Sequence, residues 1–182
     1  MMKIIAISGS LRQHSLNSKL LAEAVSMKPD SVTITPYEIQ EIPLFNGDLE
    51  EDGGPEAVLS LKRALKESDG LLIVTPEYHE SMPGVIKNVL DWVGSDANEN
   101  VLRNLPVGVI GASPTRFGTA HAQKQVKQAL IAAGSEVFQK PEVYVAKANE
   151  KFDDKGNLTD ERTQKTVTRY LQSFTSWISE KI

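Results

Sequence analysis

Ile4-Ile5-Ala6-Ile7-Ser8-Gly9-Ser10-Leu11-Arg12-Gln13-His14-Ser15-Leu16-Asn17-Ser18 runs from a continuous apolar stretch into a hydroxyl-rich loop and then into a helical pattern. Four apolar residues in succession predict a central parallel strand, and Leu16, Leu20, Leu21, Ala24 and Val25 recur at helical spacing after it. The loop therefore meets a helix N-terminus, where unpaired N–H groups and the positive end of the helix dipole favour an anion. Ser8, Ser10, Ser15, Asn17 and Ser18 add neutral donors, and Arg12 adds a fixed cation able to hold a phosphate by two parallel bonds. Two readings stand at this point: a phosphate site, or an ordinary helix N-cap at Ser15 or Asn17 preceded by a serine-rich loop.

The 182 residues predict a single domain over 1–182, long enough to bury roughly 70% of its unfolded surface. With 40% hydrophobic and 24% charged residues the chain has the composition of a globular protein. No apolar run approaches the ~20 residues of a membrane span, and the first one ends too soon in the loop to be a cleavable leader, so a cytoplasmic location is expected. The sequence has no cysteine, which removes thiolate nucleophiles, thiolate metal sites and CxxC redox chemistry together. Any redox function must then use a bound cofactor. A net charge of −4, with no lysine or arginine cluster, argues against nucleic-acid or anionic-membrane partners.

Working outward, Ser31-Val32-Thr33-Ile34-Thr35 alternates as an edge strand does, and Pro36 ends it. A long excursion through Ile42 to Pro55 precedes a helix of about 57–68. Gly70-Leu71-Leu72-Ile73-Val74-Thr75 is a second buried strand, which runs into Pro76-Glu77-Tyr78-His79-Glu80-Ser81-Met82-Pro83-Gly84 and a helix marked by Val85, Val89, Trp92 and Val93. A third junction joins Val107–Ala112 to Ser113-Pro114-Thr115-Arg116-Phe117-Gly118. Its helix carries Val126, Leu130 and Ile131 on one face and stops at Gly134. Glu136–Phe138 and Val143–Val145 read as halves of a last strand broken at Pro141. After an acidic turn at 152–158, which lacks the ligand spacing of a calcium loop, Thr159 is the expected cap of a final amphipathic helix bearing Tyr170, Phe174 and Trp177.

Five strands alternating with five helices predict an α/β three-layer sandwich, a five-stranded parallel sheet of order 2-1-3-4-5 with helices on both faces. In such sheets the ligand lies beyond the carboxyl ends of the strands at the switch point, where all three unusual loops fall. Familiar nucleotide signatures are missing: neither GxGxxG after the first strand nor GxxxxGK[ST] occurs. Ser113 stands in no nucleophile elbow, and Ser8-Gly9 replaces the acidic residues of a phosphoacceptor receiver.

Gly9-Ser10-Leu11-Arg12-Gln13-His14-Ser15-Leu16-Asn17, Thr75 through Trp92, and Gly111-Ala112-Ser113-Pro114 with Gly118 and Ala122-Gln123 resemble, in this order and spacing, the NADPH-dependent FMN reductase family. The resemblance implies a flavodoxin-like fold, noncovalent FMN, NADPH or NADH as reductant, and a homodimer or homotetramer. The implied acceptor is a small molecule, whether flavin, quinone, azo dye or chromate. Ser10, Arg12, Ser15, Leu16 and Asn17 would hold the FMN phosphate. Pro76, Glu77, Tyr78 and His79 would pass along the ring, and Ser113 up to Gly118 would close its other side. No side chain is required as catalyst, because the flavin carries the hydride. His79 departs from the asparagine common in the family. Tyr78 would contact the ring or pack on a subunit neighbour, Trp92 would sit in the core or at a dimer contact, and Arg116 would meet the NADPH phosphate or solvent. The alternatives are a flavodoxin-type FMN electron carrier without nicotinamide turnover and a nucleotide-binding regulator.

Overall fold

β1 (Met2–Ser8) pairs in parallel with β2 (Val32–Pro36) on one side and β3 (Gly70–Val74) on the other, and β3 pairs with β4 (Pro106–Ala112). The structure is a computed structural model that describes residues 1–181. The edge beyond β4 is shared by two short pieces: β5 (Glu136–Val137) lies beside Pro106–Val107, and β6 (Tyr144–Val145) beside Gly111–Ala112. The sheet order is therefore 2-1-3-4-5, with the last strand broken around Pro141 as its missing N–H requires.

Alternation within the strands feeds two cores. Ile4, Ala6, Leu72, Val74 and Ile110 face α1 (Leu16–Ser26) and α6 (Glu161–Ser179), while Ile5, Ile7, Leu71, Ile73, Val107 and Val109 face α3 (Glu56–Lys66), α4 (Gly84–Val93) and α5 (Ala120–Ala132). At ~1.5–3 kcal/mol for each large apolar side chain removed from water, these two layers supply the main driving force of the fold. On the α6 side Phe138 meets Tyr170, Phe174 and Trp177 with ring centroids 5.3–5.4 Å apart. Full burial pushes the Tyr170 hydroxyl up, so it stays protonated and donates to the Val109 carbonyl at 3.4 Å. Trp92 belongs to the core: it is 1% exposed, and its indole N–H donates to the Pro43 carbonyl at 2.8 Å. Phe45 packs edge-on against that ring, so α4 fastens the excursion, which itself contains a short helix, α2 (Gly47–Glu51).

Helix ends follow local chemistry. After α5, Gly134 has φ +84°, its N–H donates to the Ile131 carbonyl and the Ser135 N–H reaches Leu130, the paired closure that favours glycine at this position. Two expectations are corrected. Asp160, not Thr159, caps α6: its carboxylate accepts the Thr163 N–H at 2.9 Å, whereas the Thr159 N–H and hydroxyl both donate to the Lys151 carbonyl and close the preceding turn. Ile131 is 59% exposed, because one residue beyond the buried Leu130 is a rotation of about 100° away from the core face. Ile131→Gln is accordingly expected to change unfolding free energy by less than about 0.5 kcal/mol in a denaturant titration.

Candidate functional site

β1 delivers its loop already in contact with the next one. The Gly9 N–H donates to the Val74 carbonyl at 2.8 Å, and a Cβ on Gly9 would stand 2.7 Å from Ile86 Cγ1 and 2.9 Å from Pro76 Cδ. Ser15 caps α1, its hydroxyl accepting the N–H groups of Asn17 at 3.1 Å and Ser18 at 3.2 Å. Asn17 points the other way and clamps β4: Oδ1 accepts the Ala112 N–H at 2.8 Å and Nδ2 donates to the Ala112 carbonyl at 2.9 Å. Ser15 is therefore the N-cap of α1, and Asn17 is a strand clamp rather than a cap. Among the described residues, the Ser10 hydroxyl, the Arg12 guanidinium and the backbone N–H groups of residues 11–16 have no protein acceptor.

The second loop is tied to α5. That helix has no acidic residue in its first turn and no side-chain cap at Thr119, leaving its leading N–H groups in want of an acceptor. Glu77 supplies it across the sequence, Oε2 accepting from His121 at 2.8 Å and Ala122 at 3.0 Å. The positive helix end offsets this carboxylate, so it opposes an anion in the cleft less than a free one would. Farther along, the Ser81 hydroxyl donates to Gln125 Oε1 at 2.7 Å, and Gln125 Nε2 donates to the Glu80 carbonyl at 3.3 Å. In the third loop, the Ser113 N–H donates to the Val145 carbonyl and its own carbonyl accepts from Ala148, so β6 and the turn after it fix the position.

One cleft gathers these pieces. Ser10, Arg12, Ser15, Leu16 and Asn17 line it from the first loop, with Pro76, Glu77 and Tyr78 from the second and Ser113 from the third. Pro114, within the expected span from Ser113 to Gly118, and Ala112, which lies outside it and carries no functional side chain, complete the lining. His79 and Gly118 do not line it. Gly118 has φ +61° and lies against Tyr144, where a Cβ would stand 3.0 Å from the Tyr144 backbone, so its role is to let the third loop turn. Burial, with a hydrogen bond to Glu142, pushes the Tyr144 hydroxyl up and keeps that support protonated.

Residues 2–150 match the NADPH-dependent FMN reductase family. The chain belongs to this family. An NAD(P)H-dependent FMN reductase of Pseudomonas aeruginosa is 39% identical over 176 residues, covering 97% of this chain and 95% of its own. A 2-hydroxy-1,4-benzoquinone reductase of a Burkholderia species is 33% identical over 180 residues, covering 99% and 98%. Among solved structures, the flavoenzyme NAD(P)H:(acceptor) oxidoreductase FerB of Paracoccus denitrificans superposes with a TM-score of 0.91 at 35% identity, covering 99% and 98%. Membership in the FMN reductase family makes the chain an oxidoreductase with FMN as cofactor and sets aside the carrier and regulator readings.

The departure of this FMN reductase at His79 has a backbone setting. Tyr78 and Ser81 exchange N–H···O bonds at 3.1 and 3.0 Å across a two-residue turn whose central residues, His79 and Glu80, have φ of +51° and +57°. That is the mirror-image turn that favours Asn-Gly, because left-handed backbone costs other residues ~1–2 kcal/mol each. Replacing the pair by His79→Asn with Glu80→Gly is expected to stabilise the protein by about 1 kcal/mol, read as a rise of about 2–4 °C in melting temperature.

Proposed function

We propose that this chain holds one FMN across the three loops and passes reducing equivalents from NADH or NADPH to a small acceptor, a quinone first. The observation that carries the reading is the donor set of the cleft. Ser10, Arg12 and the N–H groups of residues 11–16 all lack protein acceptors, and the one carboxylate in the lining is taken up by α5. A dianionic phosphate is the chemistry that such a set fits. Leu16 would offer it the first N–H of α1, and Ser15 and Asn17 would keep the loop in shape, the latter through Ala112. The flat ring would run along Pro76, Glu77 and Tyr78, with Ser113 closing the other side. The N–H group of Glu77 has no protein acceptor among the described residues and would be free to donate to it.

When bound, FMN supplies the hydride chemistry. The chain's part is to bind, orient and leave one side open: Tyr78, 45% exposed, forms an outer lip where nicotinamide and acceptor would enter in turn. The quinone preference is supported by the benzoquinone reductase relative; free flavin, azo dye and chromate are acceptors of the same kind. Leu44, Phe45 and Leu49 are exposed together on the excursion and would be covered by a second copy, which supports a homodimer or homotetramer. No helix of the described residues is long and apolar enough to cross a membrane. A cytoplasmic setting fits the use of a nicotinamide reductant. The test is to load the protein with FMN, exclude oxygen, and add NADH or NADPH. Visible flavin absorbance should bleach and return on adding a benzoquinone; absorbance unchanged by both nucleotides would overturn the reading.

A further inference from the structure

A second cavity of about 330 Å³ lies on the opposite side of the phosphate loop, between α1 and the segment that follows β2. Its volume falls within the ~300–1,000 Å³ typical of ligand pockets. Ser10 and Arg12 line both this groove and the cleft described above. We propose that the groove takes the adenosine 5′-phosphate half of FAD, so that this chain accepts FAD as well as FMN. The inference rests on the placement of the flavin phosphate at Ser10 and Arg12.

A ligand that fills both spaces must carry phosphate in its middle and a ring at each end. FMN ends at its phosphate; FAD continues from it through a pyrophosphate to adenosine. The groove has the parts that adenosine needs. Ala22 of α1 is the exposed apolar surface for a flat base, with the mostly buried Leu21 and Ile39 forming the floor behind it, and Gln40 stands beside Ile39 with amide groups that can read its edge. Glu38 follows β2 and makes no ion pair among the described residues, and a carboxylate just beyond the second strand is the group that dinucleotide folds use to accept the hydroxyls of a ribose. Arg12, also without an ion pair among the described residues, stands where the two phosphates would meet. The groove thus has a cation on the loop it shares with the cleft and a carboxylate on the segment after β2, the two charges suited to pyrophosphate and to ribose hydroxyls.

The test uses apoprotein titrated with FMN, FAD and riboflavin by quenching of flavin fluorescence, alongside Ala22→Trp. Ala22 is an exposed helical position outside the flavin cleft, so the variant should fold, which a melting curve verifies. FAD is expected to bind within about tenfold of FMN, and Ala22→Trp should weaken FAD by about tenfold or more while leaving FMN unchanged. Glu38→Gln should weaken FAD and not FMN. Normal FMN binding with FAD weaker by more than about a hundredfold would overturn the inference and spare the function. Equal loss of both flavins in Ala22→Trp would overturn it also. So would a variant whose FAD affinity is intact while its KM for NAD(P)H rises, since the groove would then hold the adenylate of the reductant. Failure of both FMN and FAD to bind the unmodified protein would overturn the function itself.

Discussion

Asn17→Ala is expected to lower the unfolding free energy by about 4 kcal/mol, since it strands two buried backbone groups of Ala112 at ~1–3 kcal/mol each. Asn17 is 3% exposed and Ala112 2%, so water cannot replace the lost bonds without opening the end of β4. In a thermal melt this corresponds to a fall of about 8–16 °C for a chain of this size. Asn17→Asp should not rescue it: the carboxylate can accept the Ala112 N–H but, ionised, has nothing to donate to the Ala112 carbonyl, and it buries a charge. Both variants should also weaken FMN binding, because the clamp holds the loop after β1, proposed to carry the phosphate, against the third loop. A melting temperature within about 2 °C of the unmodified protein would show that the clamp contributes little.

Arg12→Ala should behave in the opposite way, leaving the fold intact and damaging the cofactor site. The guanidinium is exposed and, among the described residues, makes no ion pair, so apoprotein stability should change by less than about 0.5 kcal/mol. FMN affinity should fall by ~1.5–3 kcal/mol, roughly tenfold to 150-fold, the range for a hydrogen bond to a charged group. Arg12→Lys should recover part of this, since an ammonium restores charge without the planar two-pronged geometry. Riboflavin, which lacks the phosphate, should bind Arg12→Ala as well as it binds the unmodified protein. Equal weakening of FMN and riboflavin would place Arg12 against the ring system.

The features legible in the sequence were those set by chain neighbours. Ile4–Ile7 read as a buried strand because nothing polar interrupts it, and the order 2-1-3-4-5 followed from where the special loops fall. The cleft was legible for the same reason: in a parallel sheet every strand-to-helix loop emerges at one end. What escaped was pairing between distant residues. Glu77 reads as a ring-contacting residue of its loop, and its grip on α5, 44 and 45 residues away, was signalled by the absence of any acidic residue in that helix's first turn. Asn17 could be seen as a donor but not as a clamp, because its partner is a backbone group of β4 with no side-chain signature. Ile131 and Thr159 were each misplaced by one position, the scale at which helical rotation and the choice between adjacent capping residues are decided by packing.

We propose that the loop after β1 holds the phosphate of FMN. Parallel titration of apoprotein with FMN and riboflavin tests it most directly, because the two ligands share the ring system and differ in the phosphate. FMN should bind tighter by at least about tenfold, the contribution expected of a charged group that meets Arg12, Ser10 and unpaired N–H groups at ~1.5–3 kcal/mol per bond. Equal affinities would contradict the account.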